Sequence, residues 1–136
     1  MEISIRLSQL SAQRMWEHEK PLPKGMQLST SFSLAEVRRE GERVVVSFSV
    51  LIQYLPSVAQ LSLSGKAVLT GEEEELGKVV EAYERRKPPP VELLQPLMGV
   101  VLAEAILLAR SLNLPSPLPL PVLRPGPEEE KPSYVG

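Results

Sequence analysis

Residues 44–69, with the sequence VVVSFSVLIQYLPSVAQLSLSGKAVL, contain two series in which apolar side chains recur at every second position. Successive side chains of a β-strand point to opposite faces, so this period of two predicts two strands that each bury one face. The interruption at Pro56-Ser57 is too short for a crossover helix, and we expect the strands to pair antiparallel. The apolar positions are Val44, Val46, Phe48, Val50, Ile52 and Tyr54, followed by Ala59, Leu61, Leu63, Ala67 and Leu69.

The same alternation occurs twice upstream, in residues 3–7 and in residues 26–37. Between the second of these runs and Val44, the tripeptide Glu40-Gly41-Glu42 predicts a hairpin turn, because glycine adopts a positive φ at low cost. The sequence therefore predicts a four-stranded antiparallel sheet arranged as a meander. The apolar members of the upstream runs are Ile3, Ile5 and Leu7, followed by Met26, Leu28, Phe32 and Leu34.

Beyond residue 70 the apolar spacing becomes helical. Residues 70–73, Thr-Gly-Glu-Glu, resemble a capping box, in which the hydroxyl and carboxylate side chains bind the first backbone N–H groups. We expect a helix to begin there, with residues 85–87, Arg-Arg-Lys, complementing its C-terminal dipole, and to end before the prolines of residues 88–90. One face of this helix carries Leu76, Val79, Val80 and Tyr83.

A second predicted helix, over residues 91–112, is apolar on nearly every side. The sheet can cover one side of it, and such a helix needs cover on more than one. We expect its other side to meet another subunit, which predicts a homo-oligomer (a dimer or tetramer); Gly99, Ala103 and Ala105 would permit close approach of a neighbouring helix. The most apolar stretch, Leu97–Ala109, is shorter than a bilayer span and contains Glu104, so no membrane partner is expected.

The Leu-Pro alternation of residues 114–121 predicts an extended, polyproline-like segment. Two interpretations stay open: the segment is a ligand for aromatic-lined modules, or its leucines pack back on the domain, which we favour. Residues 1–124 are predicted to be a single α+β domain, in which residues 1–24 form an N-terminal strand and loop. Residues 125–136 are predicted to be a flexible Pro/Glu-rich tail.

Composition excludes several functional classes. The chain of 136 residues has a formal net charge of −2, which argues against nucleic acid as a partner. It contains no cysteine, so disulfides and thiolate metal sites are excluded, and an intracellular setting is favoured. The beginning, MEISIRLS, lacks the pattern of a secretory signal, and we predict a cytoplasmic protein.

No conventional catalytic group is apparent. His18 could serve as a metal ligand or base with Glu17 and Glu19, but a single histidine without cysteine is a poor start for a metal site, and an exposed position is favoured. Residues 64–66, Ser-Gly-Lys, lack the other members of a phosphate-binding loop, so Gly65 is interpreted as a bulge or close-packing position. We predict no catalytic residue, no metal, no cofactor and no enzymatic activity.

Other charged and aromatic residues have two interpretations each. The glutamates of residues 72–75 could bind a cation, but carboxylates are ordinary at a helix N-terminus. Residues 85–87 could contact an anion or RNA, and are more often solvated charges at a helix end. Trp16 is either an interface anchor or a staple onto the core.

The order of four strands, two helices and a Pro-rich extended end resembles the SecB-like fold of the bacterial export chaperone. The residues that carry the resemblance are the strands in 26–37, 44–54 and 59–69 and the ending LLARSLNLPSPLPLPVL, residues 107–123. Uncharacterised archaeal SecB-like proteins are also similar, with a Tyr-x-Pro turn (residues 54–56) and an Ala-x-Leu-x-Leu-x-Gly strand (residues 59–65). The resemblance covers residues 26–124 and implies binding of unfolded polypeptides.

The leading hypothesis is a protein-binding module, a SecB-like holdase that takes extended apolar segments in grooves between the second helix and the sheet. The alternative is a structural subunit of a larger assembly, and a third hypothesis is an enzyme or small-ligand protein that uses Glu104. The residues predicted to line the binding surface are Leu94, Leu97, Met98, Val101, Leu102 and Leu108.

Overall fold

The computed structural model describes residues 1–117, which form an α+β domain of four strands and two helices. The strands pair antiparallel in the order β1-β4-β3-β2. Strands β2, β3 and β4 form a meander, but β1 lies on the far side of β4, so the prediction of a four-stranded meander is wrong for β1. The elements are β1 (Glu2–Arg14), β2 (Gln27–Glu40), β3 (Arg43–Leu55), β4 (Ala59–Thr70), α1 (Glu73–Glu84) and α2 (Val91–Ser111).

Both helices pack on one face of the sheet, as the sequence predicts. Helix α1 contacts β2 and β3, and α2 contacts β1 and β4. The alternating residues of β3 and β4 on that face are buried with Leu76 and Val79 of α1 and with α2 in one core. We call this side of the sheet the inner face. The opposite face is dominated by polar side chains such as Ser33 and Ser49, whose hydroxyl oxygens lie 2.9 Å apart.

Two glycines occupy positions where a side chain would be strained or would clash. Gly41 has a φ of 63° in the two-residue hairpin between β2 and β3, which confirms the predicted turn. Gly65 faces the backbone of β1: a Cβ atom there would overlap the carbonyl oxygen of Arg6 and lie 2.8 Å from the Cα atom of Leu7. The pairing of β1 with β4 shifts register just after Leu7. The close-packing interpretation of Gly65 is therefore confirmed.

The predicted start of α1 is wrong. Thr70 belongs to β4, where it pairs with Glu2 and Arg43, and the N-cap residue is Glu72, without a side-chain hydrogen bond. Because Thr70 pairs with a strand on each side, it stays in the sheet and does not cap the helix.

Helix α1 ends before the prolines of residues 88–90 and the basic residues 85–87 stand at its end, as predicted, although they follow the last turn instead of lying in it. The chain closes in a Schellman motif: the Lys87 N–H donates to the Ala82 carbonyl at 2.8 Å and the Arg86 N–H to the Tyr83 carbonyl at 3.1 Å. Arg86 sits at the left-handed position, with a φ of 57°.

Helix α2 ends in a second Schellman motif, with Asn113 at a φ of 57° and the Leu114 N–H donating to the Ala109 carbonyl at 2.9 Å. The Arg14 guanidinium donates to the carbonyls of Leu112 and Asn113 at 2.9 and 3.0 Å. The extended segment that follows packs on the domain, since Leu114 and Pro117 are buried. Its first residues thus behave as the favoured interpretation predicts, while residues 118–136, including the predicted tail, lie outside the described residues.

Candidate protein-binding surface

Helix α2 faces the sheet with a row of side chains spaced four residues apart, each at most 1% exposed. Two of the residues predicted to line a binding surface, Leu97 and Val101, belong to this row. The structure corrects that assignment, because both side chains are enclosed by the chain's own sheet. The core row is Leu93, Leu97, Val101, Ala105 and Ala109.

A second row lies beside the core row and repeats with the same spacing. Its side chains are half-buried, and within residues 1–117 none of them packs against the core. Three of its members, Leu94, Met98 and Leu102, were among the predicted binding residues. The sixth predicted residue, Leu108, is half-buried and packs against the core. We call this second row the lateral row; it consists of Leu94, Met98, Leu102 and Ile106.

The opposite side of α2 is also apolar. Val100 is 37% exposed and Leu107 is 54% exposed, and both lie near the exposed small residues Gly99 and Ala103. An ideal helix turns about 100° per residue, so Val100 and Leu107 project on the side of the helix axis opposite the lateral row, and Gly99 and Ala103 lie between them and the lateral row. We call Gly99, Val100, Ala103 and Leu107 the outer flank. A Cβ atom built on Gly99 meets no heavy atom within 4 Å, so nothing in residues 1–117 occupies the space above it.

The exposed apolar residues Val100 and Leu107 were missed by sequence reasoning. In a helix that is apolar on all sides, periodicity cannot distinguish the side that faces the sheet from the side that faces outward. A usable indication was the spacing of small residues, because the sequence placed Gly99 and Ala103 four positions apart.

The charge on α2 is sparse. Glu104 is half-buried and forms no ion pair within residues 1–117. Only 22% of the most apolar 18-residue window of α2 is buried. With 21 residues, α2 is long enough and apolar enough to cross a membrane by composition alone, which corrects the length argument. This is weak evidence, because the core helix of a soluble protein meets the same criteria.

The segment that follows α2 is fixed by Tyr54 of β3. Its side chain is fully buried, and its hydroxyl donates to the Pro115 carbonyl at 2.6 Å. Burial disfavours the charged phenolate and raises the pKa of Tyr54 to about 12. This hydrogen bond holds the segment after α2 against the inner face of the sheet.

The remaining candidate residues are dispersed. His18 is exposed in the loop between β1 and β2, and Trp16 packs against the core with its indole N–H donating to the Pro21 carbonyl at 3.0 Å. Of the two interpretations of Trp16, the structure supports the staple. In the described part of the chain, no group of three or more His, Asp or Glu side chains is placed to hold a metal ion.

Comparison with solved structures supports the fold. The chain is similar to a SecB-like chaperone of Mycobacterium tuberculosis, solved in complex with a ChAD peptide from the HigA1 antitoxin, with 22% identity, a TM-score of 0.57, and coverage of 90% of this chain and 86% of that one. The likeness shows that this chain has a SecB-like fold. The predicted archaeal relatives stay a prediction.

A protein of unknown function from Streptococcus agalactiae is 22% identical, covering 85% of this chain and 94% of that one, but its TM-score of 0.31 carries no argument. Neither a protein-family model nor a curated protein sequence matches the chain.

Proposed function

We propose that the protein is a cytoplasmic, homo-oligomeric SecB-like holdase, which binds extended apolar segments of unfolded polypeptides along the lateral row of α2. The observation that carries the proposal is the surface of α2: outside its core row, the helix presents half-buried and exposed aliphatic side chains where a surface helix ordinarily presents charges. Contiguous apolar surface of this kind is typical of interaction sites.

The lateral row suits a succession of unrelated clients. Its side chains lie one helical turn apart, which gives repeated contacts to an extended chain rather than one deep pocket. Met98, at its centre, is unbranched and polarizable and adapts to differently shaped partners. Affinity would come from desolvation, at about 25 cal/mol per Å² of apolar surface before the costs of association.

The outer flank suits a second copy of the chain. Glycine inside a helix costs about 1 kcal/mol relative to alanine, and no neighbour within the described chain requires it at residue 99. Small residues four positions apart allow two helix backbones to approach closely. The two sides of α2 would thus have separate tasks, self-association on the outer flank and client binding on the lateral row.

The test is suppression of client aggregation, measured by light scattering with an unfolding client at several-fold molar excess of the protein. The double variant Met98→Ser, Leu102→Ser should lose most of the suppression. The matched control Met15→Ser removes an apolar side chain that is 47% exposed and distant from α2 in sequence, and should retain it.

Absence of suppression by the unmodified protein would reject the holdase. A single stoichiometric partner recovered from native extract, with no other bound polypeptides, would favour a structural subunit instead. The proposed oligomer is tested by a mass measurement in solution, where a strictly monomeric protein would contradict it.

A further inference from the structure

Two cations lie side by side on the sheet face opposite the helices, which we call the polar face. In the antiparallel pairing of β1 with β4, Arg6 is directly opposite Lys66. Both side chains are exposed, and they alternate with inward-facing neighbours such as Ile5 and Ala67. Residues directly opposite on such a pair of strands have Cβ atoms about 4.5–5.5 Å apart, so the two positive charges repel each other. We call Arg6 and Lys66 the cation pair.

No carboxylate of residues 1–117 neutralises the cation pair, because neither residue has an acidic group at ion-pair distance. The next residue across the sheet from Lys66 is Ser47 of β3. Beyond it, Glu36 of β2 is already engaged by Arg38 at 3.4 Å. Like charges directly opposite on paired strands destabilise a sheet, and an anionic group bound between them removes that cost.

The surroundings of the cation pair are rich in hydroxyl groups. Ser4 of β1, Ser64 of β4 and Ser47 of β3 occupy neighbouring positions on the polar face. A serine hydroxyl can donate a hydrogen bond to a carboxylate and adds no charge of its own. The site therefore suits a carboxylate, and the neighbouring side chains do not compete for the two cations.

Two exposed ion pairs are too weak to hold a freely diffusing acid. Each exposed pair changes an equilibrium constant by about fivefold or less. A group on the same chain has an advantage, because a flexible connection keeps it at an effective concentration on the order of millimolar. A tethered acidic segment is thus the occupant that this site can retain.

The chain carries such a segment beyond the described residues. Residues 128–130 are three consecutive glutamates, which follow residue 117 by eleven to thirteen positions. An extended chain spans about 3.3 Å per residue, so these glutamates can lie up to about 36–43 Å from residue 117.

The cation pair is within that reach. The Pro115 carbonyl is held by Tyr54, which pairs with Ala59 at the beginning of β4. Lys66 follows Ala59 by seven residues, about 23 Å along the strand, and projects from the opposite face. The path round the edge of the sheet adds about 10 Å, the spacing of packed layers, and the total is shorter than the available chain.

We propose that the glutamates of residues 128–130 bind the cation pair on the polar face of the same chain. A carboxylate lies between Arg6 and Lys66 and removes their mutual repulsion. The contact is electrostatic and exposed, so the segment covers the polar face at low salt and leaves it at high salt. This regulatory contact is independent of the holdase, because it involves neither a client nor helix α2.

The test is crosslinking of the full chain with a carbodiimide, which joins a lysine amine to a carboxylate only when the two are in contact. At low salt, the main crosslink of residues 128–130 should be to Lys66, identified by mass spectrometry after proteolysis. Lys78, exposed on α1, is the internal control and should give a minor product. At 1 M salt, where the Debye length is about 3 Å, the Lys66 product should decrease at least about fivefold.

A variant of the partner cation tests the pairing. Arg6→Ser keeps the reactive Lys66 and removes one of the two ion pairs, so the yield of the Lys66 product should decrease about threefold to fivefold. The matched control is Arg43→Ser, which removes an exposed arginine that is already paired with Glu40 at 3.1 Å, and it should leave the yield unchanged. Both substitutions are at exposed positions, so both variants should fold.

A second measurement does not depend on crosslinking. In the triple variant Glu128→Gln, Glu129→Gln, Glu130→Gln, the backbone amide resonances of Arg6 and Lys66 should shift at low salt, and those of α2 should not. A main crosslink to Lys24 or Lys87, or an unchanged Lys66 yield in Arg6→Ser, would overturn the proposal. Crosslinks found only between chains in a mixture of isotopically light and heavy protein would also overturn it, since the acids would then come from another copy.

Discussion

Helices α1 and α2 cover the same face of the same sheet, yet their outward sides differ in composition. Helix α1 buries Leu76 and Val79 and presents exposed charges such as Glu74, Lys78 and Glu81 to solvent. Helix α2 buries a similar row but presents Val100 and Leu107 outward. Covering the sheet explains only the inner side of each helix. This difference in composition is the reason we propose that α2, unlike α1, faces other polypeptides.

The largest expected effect is common to both helices and tests the side on which they are alike. Leu76→Ala in α1 and Leu97→Ala in α2 each remove a side chain that is at most 1% exposed, so each should lower the free energy of unfolding by about 3 kcal/mol. Urea unfolding at two protein concentrations measures this and separates folding from self-association.

Leu107→Ala is the control on the outward side of α2, where the free energy of unfolding of the monomer should change by about 0.5 kcal/mol or less. A cost below 1 kcal/mol for Leu97→Ala would mean that α2 is not docked on the sheet through its core row.

An effect of intermediate size is expected where α2 ends, because the chain after α2 is tied to the sheet through Tyr54. Tyr54→Phe removes the donor to the Pro115 carbonyl and should cost about 1–2 kcal/mol at neutral pH.

The same residue predicts an alkaline sensitivity. The pKa of Tyr54 is raised to about 12, so the folded state holds the phenolic proton more tightly than the unfolded chain, in which it titrates near 10. This contribution to stability is complete below pH 10 and is lost as the pH rises from 10 toward 12. Thermal unfolding across that range should show a smaller alkaline decrease for Tyr54→Phe than for the unmodified protein. Parallel decreases would show that another group is responsible.

The smallest expected effect distinguishes the two outward sides. Gly77 of α1 and Gly99 of α2 both have open space where a Cβ atom would lie, so alanine at either position should stabilise the monomer by about 1 kcal/mol. Only Gly99→Ala should weaken self-association, measured by sedimentation, because its methyl group projects between the proposed partner helices. Equal self-association in both variants would show that the outer flank is not the interface.

Much of the fold follows from local pattern. The period of two in residues 44–69 predicts two strands, and the helical spacing after residue 70 predicts two helices. The structure confirms these strands and helices, and it confirms that both helices pack on the same face of the sheet. The position of β1 beyond β4 does not follow, because alternation shows that a strand buries one face and not which neighbour it pairs with. Thr70 shows the same limit, since its two strand partners are distant in sequence.

The candidate sites were less predictable than the fold. The apolar character of α2 is evident from the sequence, but the division between Leu97 in the core and Leu107 outside depends on the docking angle of the helix. Phe32, Tyr83 and Arg86 line one depression on the surface, and only the tertiary structure brings them together.

The hydrogen bonds of Arg14 and Tyr54 have a mechanical consequence. Just after α2 the chain is held at two points. Arg14 of β1 donates to the carbonyls of Leu112 and Asn113, and Tyr54 of β3 donates to the carbonyl of Pro115. Tension applied to the polypeptide beyond residue 117 is therefore carried into two strands of the sheet before it reaches the helix. Helix α2 would stay packed on the sheet while another molecule pulls on the residues that follow.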